Sequence, residues 1–94
     1  MMSENQKARV TARLKKIEGQ VRGLQKMVAD DRYCMDILTQ TRSVFAALRA
    51  VEDLIMENHM NTCVADAIRS NDPEEQHEKI GEVMSVLAQL RKNG

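Results

Sequence analysis

Apolar residues fall at Val10, Leu14, Ile17, Val21, Leu24 and Val28, separated by alternating steps of four and three. That spacing keeps them on one side of an α-helix and follows a heptad seam. Arg9, Arg13, Lys16 and other polar residues fill the remaining positions. The pattern predicts a first helix over residues 5–29. Asp30 and Asp31 are expected to end it and to supply the N-cap of the second helix.

A second stripe runs through Ile37, Thr41, Val44, Leu48, Val51 and Ile55, widened by Leu38, Phe45 and Leu54. No Gly or Pro interrupts residues 32–69, so one helix is predicted over that whole length. At a rise of 1.5 Å per residue it would reach roughly 57 Å. A compact domain of this size has a radius of gyration of only about 13 Å. The first helix can cover one half of such a rod as an antiparallel hairpin. The other half is expected to lie against a second copy. A third helix, over residues 73–92, has a clear start in SNDPEEQ. Asp72 fits the N-cap, Pro73 the first helical position, and Glu74 and Glu75 the first turn. Its stripe is Ile80, Val83, Leu87 and Leu90. Residues 1–94 thus read as one all-α domain of three helices, assembling through helical bundles.

Composition sharpens this only in places. Hydrophobic residues make up 43% of the 94-residue chain but aromatics only 2%, so aliphatic side chains must build the core. No apolar run approaches the ~18–20 residues of a membrane span. MMSENQKARV lacks the apolar segment of a secretory signal. A cytoplasmic protein with no membrane partner is expected, in which two cysteines are thiols rather than a structural disulfide. Cys-x-x-Cys, an acid/base cluster and a cofactor loop are all missing, which argues against an enzyme with a small-molecule substrate.

The formal net charge of zero hides an asymmetry. Residues 1–29 carry Lys7, Arg9, Arg13, Lys15, Lys16, Arg22 and Lys26 against Glu4 and Glu18, a net of +5; the remainder carries −5. Arg9, Arg13 and Lys16 share one helix face, and Lys15, Arg22 and Lys26 form a second stripe. A charged stripe is usually just a solvated face; this segregation of charge favours DNA as a partner. No helix-turn-helix, zinc finger or aromatic platform accompanies it.

The segment MENHMNTC places His59 and Cys63 one helical turn apart. Singly, a cysteine on an apolar stripe is a small core residue and a helical histidine is polar surface. The remaining cysteine, Cys34, lies 25 residues before His59. On one straight helix that is about 37 Å, out of reach within one chain. An antiparallel dimer crossing near Ala46, Ala47 and Leu48, where small residues permit close approach, would bring Cys34 of one protomer to His59 and Cys63 of the other. Two thiolates and an imidazole suit Cu(I), whereas structural zinc takes four ligands.

With RLKKIEGQVRGLQKM on the basic helix, YC at the start of the second and NHMNTC some 25 residues later, residues 5–92 resemble the CsoR-type copper-sensing transcriptional repressors. That family also includes nickel/cobalt and formaldehyde sensors. The resemblance implies a three-helix protomer with a long second helix, an antiparallel dimer forming four-helix bundles, and a dimer-of-dimers tetramer. It implies an apo protein that binds operator DNA and releases it when Cu(I) occupies Cys34, His59 and Cys63, derepressing copper-resistance genes. It further implies Tyr33 and a glutamate of the third helix, Glu82 or Glu78, around the histidine. Arg13 is the DNA contact it carries over most directly, with Arg49 on the second helix as a further one. Thiol or persulfide, nickel/cobalt and formaldehyde sensing on the same fold, or a plain helical interaction module, are the competing readings.

Overall fold

A computed structural model of the chain describes residues 2–93, and every regular element among them is helical. Helix α1 spans Glu4–Ala29, α2 Cys34–His59, α3 Ala65–Arg69 and α4 Pro73–Asn93, with a π-helical turn, Met60–Val64, joining α2 to α3. The long second helix expected over residues 32–69 is thus α2, the π-turn and α3 in succession. The third expected helix is α4.

Helix α1 begins one residue earlier than its apolar pattern suggests, because Ser3 and Gln6 form a capping box. The Ser3 hydroxyl accepts from Gln6 N–H at 3.2 Å, and Gln6 Oε1 accepts from Ser3 N–H at 2.8 Å. Two otherwise unpaired amides are satisfied reciprocally. At the other end the two aspartates act differently from expectation. Both are used in closing α1, and neither caps α2. Asp31 takes a left-handed φ of 54°. Its N–H donates to the Val28 carbonyl at 3.2 Å and Arg32 N–H to Met27 at 3.0 Å. This is a Schellman closure, with Asp in the place glycine more often takes. Helix α2 then starts from the Tyr33 carbonyl, which accepts from Asp36 N–H at 3.0 Å and Ile37 N–H at 3.2 Å.

The chain separates into two compact units. The first, Met2–Met56, is the α1–α2 hairpin. Its core is Val10 and Ile17 of α1 with Val44 and Val51 of α2, flanked by Met2, Leu24, Ala47 and Leu54. The paired positions advance by seven on each helix, so only alternate rungs of the α1 heptad seam are covered. The other rungs, Leu14, Val21 and Val28, stay exposed, Val28 at 61%. Leu38, Phe45 and Ile55 are likewise exposed on α2, Phe45 at 60%.

The second unit begins at Glu57. The π-turn and α3 pack against α4, burying Val64 and Ala67. Asn71, at φ 58°, closes α3. The Asp72 carboxylate accepts from Glu74 N–H at 3.1 Å, starting α4 as the sequence indicates. Gln76 reaches back across this corner, donating from Nε2 to the Ile68 carbonyl at 3.3 Å.

Candidate metal centre

His59 is the last residue of α2, and Cys63 lies within the π-turn immediately after it. Both are partly buried within the second unit. His59 Nε2 sits 3.6 Å from Glu82 Oε2 of α4. Of the two glutamates the sequence leaves open, both exposed on α4, Glu82 is the one beside the imidazole. With Nε2 turned to a carboxylate, Nδ1 is the nitrogen left for a ligand. A carboxylate behind a histidine fixes its tautomer and ring orientation, the usual support of metal-binding imidazoles.

The carboxylate is itself held from the other side, because Lys79 Nζ lies 3.6 Å from Glu82 Oε1. Sequence reasoning misses Lys79, although the K-x-x-E spacing at 79 and 82 is that of neighbours on one helix face. Beside the cysteine, the Thr62 hydroxyl is 2.8 Å from the Asn58 carbonyl and 3.7 Å from Cys63 Sγ.

Cys34 is a free, exposed thiol at the first residue of α2, with exposed Tyr33 beside it. Among the described residues, no three His, Cys, Asp or Glu side chains of a single chain assemble as a metal-binding group. Within one chain, the turn after α2 and its packing on α4 gather His59, Cys63 and Glu82 into the same unit, and Cys34 lies outside it.

On α1, Arg9, Arg13, Lys15 and Lys16 are all exposed. Arg22 is exposed too, but its guanidinium donates to Glu18 Oε1 at 2.7 Å. Arg49 is exposed on α2. None of the described helices is long and apolar enough to cross a membrane.

Residues 6–89 match the sequence family described as metal-sensitive transcriptional repressor. The chain is 47% identical, over 97% of its length and 87% of the relative's, to the copper-sensing transcriptional repressor CsoR of Bacillus subtilis. It is 38% identical to the copper-sensing transcriptional repressor RicR of Mycobacterium tuberculosis, over 90% of this chain and 88% of that one. Among solved structures, the copper-sensing repressor CsoR with Cu(I) from Geobacillus thermodenitrificans superposes with a TM-score of 0.88 at 44% identity, covering 97% of this chain and 92% of that one. The nickel-responsive transcriptional regulator InrS superposes at 0.76 with 32% identity, covering 89% and 91%. With a supported histidine and a cysteine one turn apart, a basic first helix, and a family match over nearly the whole chain, the protein belongs to the metal-sensitive transcriptional repressors.

Proposed function

We propose that this chain is a Cu(I)-responsive repressor whose metal-free form binds operator DNA. The single observation that carries the reading is the His59–Glu82 pair, which holds an imidazole ready as a ligand one turn from a thiol. The relatives named as copper sensors support the choice of metal.

Cys34 of one protomer, with His59 and Cys63 of its antiparallel partner, would hold Cu(I). The donor set fits: two thiolates and one imidazole are soft enough for Cu(I) and too few for structural zinc. Bound Cu(I) supplies a cross-link between α2 of one protomer and the end of α2 in the other. Glu82 lies 3.6 Å from Nε2 of His59, so a shift of that imidazole toward the metal would be passed to α4. Helix α4 packs on the π-turn and α3; the signal to the α1 faces would run through the assembled tetramer. Arg9, Arg13, Lys15 and Lys16 bind DNA phosphates from those faces, with Arg22 and Arg49 as further contacts. Four copies turn a modest charge per chain into a large footprint. Exposed apolar residues such as Phe45 and Leu38 are the surfaces that assembly covers. Tyr33, beside Cys34, would face the same centre from the protomer that supplies that cysteine. The setting is the cytoplasm, where thiols stay reduced.

Mixed oligomers test the shared site. Cys34→Ser alone and Cys63→Ser alone should each lose tight Cu(I) binding. Co-assembled from the two variants, dimers regain one intact site per pair. If each variant binds Cu(I) as wild type does, or if co-assembly restores nothing, a site shared between protomers is wrong.

A further inference from the structure

We infer that Thr62 is a positioning residue for Cys63, acting through the π-turn that separates the two ligands contributed by one chain. The inference rests on the copper reading above and deepens it.

Residues Met60–Val64 form a π-turn in which Ala65 N–H donates to the Met60 carbonyl, five residues back. Such turns are rare and appear frequently at functional sites. This one starts directly after His59 and contains Cys63. In a regular α-helix four residues would carry Cys63 about 40° past His59 around the axis. The wider turn rotates it back, changing where the sulfur points relative to the imidazole. The π-turn is therefore part of the ligand geometry.

Thr62 sits at the centre of that turn. Its hydroxyl is 2.8 Å from the carbonyl of Asn58, a buried residue that gives it a fixed anchor. The same oxygen lies 3.7 Å from Cys63 Sγ. Thr39 and Thr41 make the same four-residue back-bond in α2, at 2.9 Å to Met35 and 2.9 Å to Ile37, but in regular α-helix. At Thr62 the bond falls inside a π-turn and the hydroxyl also meets a thiol. A hydroxyl offers one hydrogen and two lone pairs. Beside a free thiol it gives its hydrogen to the Asn58 carbonyl and accepts from S–H. Beside a metal-bound thiolate it can share that hydrogen with the sulfur. In both states it ties the sulfur to the backbone one turn earlier, so the thiol stays at the azimuth set by the π-turn.

The experiment compares Thr62→Val, which keeps the branched shape and loses the hydroxyl, with Thr62→Ser, which keeps the hydroxyl. Cu(I) affinity is measured by competition with a chromophoric chelator, and sulfur coordination by X-ray absorption. Wild type and Cys63→Ser are the controls. Thr62→Val should bind Cu(I) at least about tenfold more weakly, the low end of what a hydrogen bond to a charged group contributes. Its copper should also lose sulfur scattering, while Thr62→Ser keeps the wild-type affinity and spectrum. If Thr62→Val does not fold, Thr62→Ala removes the same hydroxyl and is read in the same way. A Thr62→Val spectrum and affinity equal to wild type would overturn the inference alone. So would equal losses in Val and Ser, because the hydroxyl that Ser keeps would then not be what binding depends on; a loss in Ser alone would assign the effect to the methyl group. Cu(I) binding that Cys63→Ser leaves unchanged would instead overturn the copper reading, and this inference with it.

Discussion

His59 and Glu82 join the end of α2 to α4: Nε2 of the imidazole lies 3.6 Å from the Glu82 carboxylate, which Lys79 holds from its other oxygen at 3.6 Å. The pair places one candidate ligand and one packing element in direct register. In the proposed relay, a change at the histidine would reach α4 without a long chain of intermediates.

Glu82→Gln tests this link. The amide keeps nearly the same shape and an acceptor oxygen but loses the charge. Cu(I) stoichiometry should be unchanged. The drop in DNA affinity on adding Cu(I), ordinarily ~5–150-fold for allosteric proteins, should shrink toward none. Titration of labelled operator DNA with and without Cu(I) measures the response, and a Cu(I) titration of the variant measures the stoichiometry. A full wild-type response in Glu82→Gln would remove the carboxylate from the relay.

His59→Ala makes a sharper cut. Two thiolates remain, so the variant should still take up Cu(I), yet it should no longer let go of DNA. Equilibrium dialysis gives the first quantity and anisotropy the second. Normal release of DNA by His59→Ala would show that the signal does not pass through the imidazole.

The basic face of α1 makes a prediction about salt. For every phosphate the protein no longer neutralises, the slope of log K against log salt should flatten by about 0.9. Arg13→Ala should therefore weaken DNA binding and reduce its salt dependence. Arg22→Ala should do less, because that guanidinium already holds Glu18 at 2.7 Å. Equal effects of the two substitutions would mean that the exposed stripe at Arg13 is not the principal phosphate-binding surface.

Packing separates fold from assembly. Ile17 is 7% exposed in the hairpin core, and truncating it to Ala should cost about 2–5 kcal/mol in urea unfolding. Phe45 is 60% exposed, so Phe45→Asp should instead shift sedimentation toward smaller species. An oligomer unaffected by Phe45→Asp would place the assembly surface elsewhere.

The heptad spacing of Val10 to Val28 and the uninterrupted run after Arg32 make the helices legible, since apolar period distinguishes long helices from strands. Local closure is less so. Asp30 and Asp31 have the chemistry of an N-cap, but the left-handed φ of Asp31 uses them to finish α1. The π-turn leaves no trace in the pattern, because no residue type specifies a hydrogen bond one residue longer. The choice between Glu78 and Glu82 depends on how the corner at Ser70–Asp72 sets the phase of α4, which sequence spacing does not fix. His59 and Cys63 are visible because they lie four apart on one element. Cys34 is visible only through the length of the helix that separates it from them.

The most direct test of the central claim is fluorescence anisotropy of the reduced protein with DNA from upstream of its own gene, with and without one Cu(I) per chain. The account predicts tight, salt-sensitive binding that weakens with Cu(I) and not with Ni(II) or Zn(II). DNA binding indifferent to Cu(I), or released instead by nickel, persulfide or aldehyde, would contradict it.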